Sequence, residues 1–131
     1  MNRMKFLKAA VAVSALVLSA VSFAQQSSWP SKTITMVVPF AAGGSTDITA
    51  RMLAEKLTPI LGQSVIVDNK AGAAGNIAGA FVARANPDGH TILLSTSTMT
   101  ANVSLYKDMG FNVQKDLAPV SQVALIPNVL M

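Results

Sequence analysis

Cysteine is absent from these 131 residues, and tryptophan, tyrosine and histidine occur once each. The missing thiols exclude disulfides, thiolate metal sites and a cysteine nucleophile, so a stable fold must come from the apolar core alone. Acid is scarce, with six Asp and Glu against ten Lys and Arg. No Gly-Lys-Ser/Thr occurs, which excludes a P-loop, and no G-x-S-x-G surrounds any serine. The glycines never take the G-x-G-x-x-G spacing. Gly72-x-x-Gly75-x-x-x-Gly79 is no substitute, and no acidic residue follows at the distance a ribose needs. His90 is the one imidazole, and its place between a turn and a strand predicts an exposed loop position.

What is present begins with a leader. Arg3, Lys5 and Lys8 form a positive start, and Ala9 to Val21 is an uncharged apolar stretch of 13 residues. Ser22-Phe23-Ala24 supplies the small residues that a signal peptidase reads. The stretch is shorter than the ~20 residues a spanning helix needs, so residues 1–24 are expected to be a cleaved signal peptide. The product would be periplasmic. Removal of three basic residues leaves seven against six acids, a net charge of +1. No basic stripe survives, which argues against nucleic acid as a partner.

Residues 25–131 are long enough for one small domain. Ile34 to Pro39 reads as a central parallel strand, apolar on both faces. Ala50, Leu53, Ala54, Leu57 and Leu61 mark the buried stripe of a helix over about 46–61, with Arg51 and Glu55 opposite. Ser45 or Thr46 can cap it, Asp47 and Arg51 form an i, i+4 pair, and Pro59 should kink its end before Gly62. A second strand follows over Val65–Val67. Ile77, Phe81 and Ala85 should face inward from a second helix. Asn86-Pro87-Asp88-Gly89 is a turn, and Thr91 to Ser95 a third strand. The order β-α-β-α-β predicts an α/β fold: a parallel sheet with helices on both faces. Val120 to Leu125 is a fourth strand candidate. The chain then stops inside the apolar run Val123–Met131, which reads as a truncated product, with a C-terminal edge strand as the other reading.

Three segments follow strands at the carboxyl edge of such a sheet: Phe40–Asp47, Ala71–Asn76 and Ser95–Asn102. All are read as loops rich in glycine or hydroxyls. Their tools are backbone N–H groups and Ser/Thr hydroxyls, which suit a carboxylate. The first is the most telling, because Val38-Pro39 leads through Gly43-Gly44 into a helix start, where an anion can sit. The plainer reading is that such glycines serve a tight turn. Asp47 reads as a first-turn helix acid, with a general base as the alternative. A secreted hydrolase using Gly43-Gly44 as an oxyanion hole is the competing class, and no nucleophile or base is visible beside it. No cofactor and no metal site is indicated.

The motifs Trp29-Pro30-Ser31-Lys32, Val37-Val38-Pro39-Phe40-x-x-Gly43-Gly44-x-x-Asp47 and Val67-x-Asn69-Lys70-x-Gly72-x-x-Gly75-Asn76-Ile77 occur in series. Pro87-Asp88-Gly89-His90-Thr91-Ile92-Leu93 and Asp116-Leu117-Ala118-Pro119-Val120 complete them. Together they resemble the Bug family, the periplasmic solute receptors of tripartite tricarboxylate transporters. The resemblance implies a two-lobed, type II periplasmic-binding-protein fold about three times as long, of which residues 25–131 would be the incomplete first lobe. It implies a binder rather than an enzyme, a small carboxylate ligand, membrane transporter subunits as partners and a monomer when complete. Carried onto this chain, it places ligand contacts at Phe40, Gly43, Gly44, Thr46 and Asp47, and secondarily at Gly75, Asn76, Ser97 and Asn102. Ala42 stands where proline is frequent, Ala74 where glycine is frequent, and His90 where tyrosine is often found. A non-functional remnant of such a receptor is the alternative.

Overall fold

The computed structural model describes residues 29–125. The expected leader over 1–24 and residues 126–131 lie outside them. Residues 29–31 belong to an N-terminal unit, in which the Trp29–Pro30 peptide bond is cis. From Lys32 onward the chain forms an α/β unit.

Its elements are β1 (Ile34–Val38), α1 (Ser45–Leu61), β2 (Val65–Asn69), a 3-10 turn (Ala73–Gly75), α2 (Asn76–Ala83), β3 (Thr91–Leu93), α3 (Ser97–Leu105) and a short α4 (Val113–Asp116). The strands form one parallel sheet in the order β2-β1-β3. Ile34 pairs with Val65 and Val38 with Asn69 on one side of β1, and Met36 pairs with Ile92 on the other. The β-branched run of β1 suits this central place, since its side chains are covered on both faces.

Period-two alternation divides those faces. Ile34, Met36 and Val38 share a buried cluster with Val65 of β2 and with Ala50 and Ala54 of α1. Leu53, Leu57, Leu61, Val67, Ile92 and Leu94 close around it. Val37, also fully buried, points the other way, where α2 packs on β3 and β1. The predicted stripe of α1 is therefore the one that is buried, and helices lie on both faces of the sheet. α1 runs through Pro59, with Thr58 Oγ1 donating to the Ala54 carbonyl at 2.9 Å, and ends at Gly62.

Several expectations need correction. α1 is not capped by Ser45 or Thr46: its N-cap is Gly44, and no side chain caps it. β2 extends two residues past Val67, because the β1 ladder continues beside it to Val38. Ser95–Asn102 is not a loop. From Ser97 on it is helix, held by Met99 and Asn102, which lie three apart and are both buried. Ile77 and Phe81 face outward, 52% and 44% exposed, while Ala78 and Gly79 face in. The reason is close approach: a Cβ on Gly79 would collide with the Phe111 ring and meet Met99 Cε at 3.0 Å, so only small residues fit that side. Residues 120–125 form no strand, and Val120 and Leu125 are 89% and 84% exposed, without the burial that would hold such an apolar run in a sheet.

His90 is buried rather than exposed, at 6%. Its carbonyl accepts from Thr35 N–H at 2.8 Å, which extends the β1–β3 ladder and pulls the residue into the sheet. Asp88 accepts from His90 N–H at 3.0 Å and pairs with Lys32 at 2.9 Å, and these two contacts lower its carboxyl to about 2.

Candidate functional site

Parallel strands deliver their outgoing connections to one end of the sheet, and here those are residues 39–44, 70–75 and 94–96. The first two are in close contact. Gly75 has φ +94, and a Cβ built on it would lie 3.0 Å from Pro39 Cβ, so a side chain there would push the two loops apart.

The first loop is organised around one carboxylate. Gly43 takes φ +88 and donates its N–H to Asp47 Oδ2 at 2.8 Å. Asp47 is the third residue of α1 after the N-cap, so its side chain reaches back over the helix start. Arg51 Nε donates to the same oxygen at 3.0 Å, and Asn69 Nδ2 donates to Oδ1 at 3.0 Å. Asp47 is only 3% exposed. Arg51, then the Gly43 N–H, hold its carboxyl down at about 2 against an ordinary 3.8, with Asn69 assisting. The Arg51 guanidinium is raised in turn, chiefly by its hydrogen bond to Asp47. The pair carries no net charge.

This network redistributes the donors. The Gly43 N–H is committed to Asp47 and turns inward. The N–H groups of Ser45 and Thr46, in the first turn of α1, have no partner within the helix. No side chain caps them, Gly44 itself is exposed, and Thr46 is half-buried. Natural helices usually carry Ser, Thr, Asp or Asn at this cap. A glycine cap leaves the first-turn N–H groups of Ser45, Thr46 and Asp47, which precede the first helical bond from Ile48, and the positive helix end uncapped at the carboxyl end of the central strand, an arrangement that can hold an anion.

The second loop has a different construction. Ala73 and Ala74 take φ +45 and +52, a left-handed region that is unfavourable for residues with a Cβ. Asn102 Nδ2, from α3, donates to the Ala74 carbonyl at 3.0 Å and to Asn76 Oδ1 at 2.7 Å.

Eight of the nine expected site residues thus fall into two groups. Phe40, Gly43, Gly44, Thr46 and Asp47 share the first loop and helix start. Gly75, Asn76 and Asn102 join the second loop to α3, with Asn76 and Asn102 both buried. Ser97 is exposed in the first turn of α3, and no hydrogen bond ties its side chain to the other eight among the described residues. Asn69 was not among the nine. It serves the first group, since its Nδ2 donates to the Phe40 carbonyl at 3.0 Å as well as to Asp47. The signal that could have found it is its position: the last residue of a strand beside the first loop, an amide where an apolar residue would otherwise serve.

Among the described residues no group of three or more His, Asp or Glu is placed to hold a metal ion, and no helix is long and apolar enough to cross a membrane.

A family model described as the tripartite tricarboxylate transporter family receptor matches residues 49–131. Protein BugT of Bordetella pertussis is 45% identical over 105 residues, which are 79% of this chain and 32% of that protein. The chain spans about a third of the length of the curated relatives it matches. Among solved structures, the periplasmic binding protein BugD is 51% identical with a TM-score of 0.62, over 64% of this chain and 28% of its own. MatC from Rhodopseudomonas palustris with bound malate is 40% identical with a TM-score of 0.63, over 67% and 30%. R. palustris Rpa4515 with adipate is 42% identical with a TM-score of 0.61, over 64% and 28%.

Proposed function

The chain belongs to the tripartite tricarboxylate transporter receptor family, and from that premise we propose that it serves as the ligand-capturing part of a periplasmic receptor for a small carboxylate. The observation that carries the reading is the uncapped start of α1, where Gly44 leaves the Ser45 and Thr46 N–H groups open at the carboxyl end of β1. A carboxylate accepting from them would gain charge-assisted hydrogen bonds and the favourable end of the helix dipole. Related structures with malate and with adipate support a dicarboxylate class. The leader expected over residues 1–24 supports the location.

Capture would feed a membrane transporter, and the complete receptor would close on its ligand as a monomer with a hinge. Closure follows if the closed state holds the ligand more tightly than the open one. The committed state of Asp47 speaks for binding rather than hydrolysis. Held at about 2 and engaged by Gly43, Arg51 and Asn69, its carboxylate is a poor general base.

The test is calorimetric titration of the chain with malate, adipate and an uncharged amide of each. Saturable binding of the acids and none of the amides is the expected result. Equal binding of acid and amide would remove the carboxylate from the reading.

A further inference from the structure

Asn69 uses its whole side chain. Its two amide hydrogens go to different acceptors, the Phe40 carbonyl at 3.0 Å and Asp47 Oδ1 at 3.0 Å. Its oxygen accepts from Arg51 Nη2 at 3.3 Å. Turning the amide over would set its oxygen against two acceptors and its hydrogens against a guanidinium, so the surroundings fix one orientation. The residue ends β2 and is locked by the ladder to Val38 of β1. It therefore transfers the position of a rigid strand to a loop that leaves the sheet.

The loop has little else to fix it. Residues 41–44 are exposed, and a Cβ on Gly43 would meet nothing within 4 Å. Among the described residues, three hydrogen bonds define its path: Asn69 on the Phe40 carbonyl, Asp47 on the Gly43 N–H, and the first α1 bond from Ile48 N–H to the Gly44 carbonyl at 3.0 Å. Asp47 stays in place through Arg51, itself 55% exposed, and through Asn69.

The geometry points to Asn69 as a positioning residue for ligand capture: it touches no ligand, but through Asp47 and Phe40 it sets the Phe40–Gly44 loop so that the start of α1 stays open. This rests on the proposed carboxylate-binding function and names the residue on which that site depends. A residue that only filled space would be replaceable by any isostere. A residue acting through hydrogen bonds to Asp47 depends instead on carrying a proton at that position.

Asn69→Asp is the decisive variant, because it keeps the shape and removes the donor. At neutral pH two carboxylates would face each other and the loop would be released. On acidification the pair would share one proton, and a donor would return. The assay is malate affinity of the 131-residue chain at about pH 7, alongside the Gly43 amide proton shift followed from about pH 7 down to about pH 4, since Arg51 faces both carboxylates and keeps the shared proton off until well into acid. The expected result in Asn69→Asp is at least about a tenfold loss of affinity at the higher pH and a displaced Gly43 shift that returns toward the unmodified position at the acid end, with the Gly43 shift of the unmodified chain flat across the range. Asn69→Ala should show the loss of affinity and a displaced Gly43 shift at every pH. A Gly43 shift in Asn69→Asp that does not depend on pH would overturn the inference, as would full affinity in Asn69→Ala. If the unmodified chain binds no carboxylate, the proposed function falls, while the Gly43 shift still decides the positioning: pH-dependent in Asn69→Asp supports it, and unchanged overturns it.

Discussion

The Asn102 side-chain amide donates to the Asn76 side-chain oxygen at 2.7 Å, between two residues that are 1% and 6% exposed. It joins the start of α2 to the middle of α3, and its other bond, to the Ala74 carbonyl, pins the second loop between them. Two residues expected to reach a ligand are therefore occupied in holding the protein together. Removing one partner leaves a buried amide unsatisfied, which costs about 1–3 kcal/mol. Asn102→Ala and Asn76→Ala should each destabilise by that amount. The double variant should destabilise by less than the sum, as denaturant titration of a mutant cycle would reveal. Strict additivity would dissolve the pair as an energetic unit.

Gly44→Asp should separate stability from binding. The position has φ −78, and an added Cβ would find its nearest neighbour, the Ala41 carbonyl oxygen, at an ordinary 3.6 Å. An aspartate there would cap α1 and raise stability by roughly 0.3–1 kcal/mol. It would also place a carboxylate on the N–H groups that the ligand needs. The expected outcome is a slightly higher melting temperature with malate binding lost. Retained affinity in a stabilised variant would move the site away from the helix start.

Ala74→Gly should stabilise. Its φ of +52 costs a residue with a Cβ about 1 kcal/mol or more relative to glycine. Relief of that strain should raise the denaturant midpoint without changing the slope. Ala74→Val should lower the midpoint, since branching at Cβ worsens the same clash.

Acid should weaken the fold through Asp47. Its carboxyl is lowered from 3.8 to about 2, so the stability it adds is complete above the ordinary value. That contribution is lost as pH falls from about 4 through about 2. Asp88, lowered likewise to about 2, acts in the same direction. In Asp47→Asn, neutral-pH stability should drop and the acid limb of the stability curve should flatten. An acid limb of unchanged steepness would show that Asp47 is not responsible.

Gly79→Ala should destabilise by about 1–3 kcal/mol through overpacking, since the new methyl would meet the Phe111 ring and Met99. Gly79→Ala combined with Phe111→Leu should recover part of the loss, measurable as a shift in thermal midpoint.

The parts of the fold that the sequence predicts well are those carried by periodicity. Ile34 to Val38 alternates between two buried faces, and Ala50, Leu53, Ala54 and Leu57 trace one side of a helix, because apolar spacing alone dictates both. α2 defeats the same rule. Its inner side is small rather than greasy, since Gly79 must let Phe111 approach, and Ile77 and Phe81 are left outside. Phe81 is partly compensated there by Lys70, whose ammonium sits 4.2 Å from the ring centre. The hydroxyls of Ser97, Thr98 and Thr100 look like a loop, yet Met99 and Asn102 anchor them as helix through contacts that no local pattern displays. At the candidate site, Gly43-Gly44 and Asp47 are visible as a motif. That Asp47 would claim the Gly43 N–H, and that Asn69 would hold Asp47, depends on strand register and is not written in either segment alone.

The strand order β2-β1-β3 has a consequence for how the molecule is made. The middle strand is the first to leave the ribosome, and both of its neighbours arrive later, the second only with Thr91–Leu93. No hairpin can form early, because each pairing must wait for a crossover helix to be completed. A sheet with this order stays open until Thr91–Leu93 has been made, so the apolar side chains of its central strand wait uncovered through the synthesis of two helices.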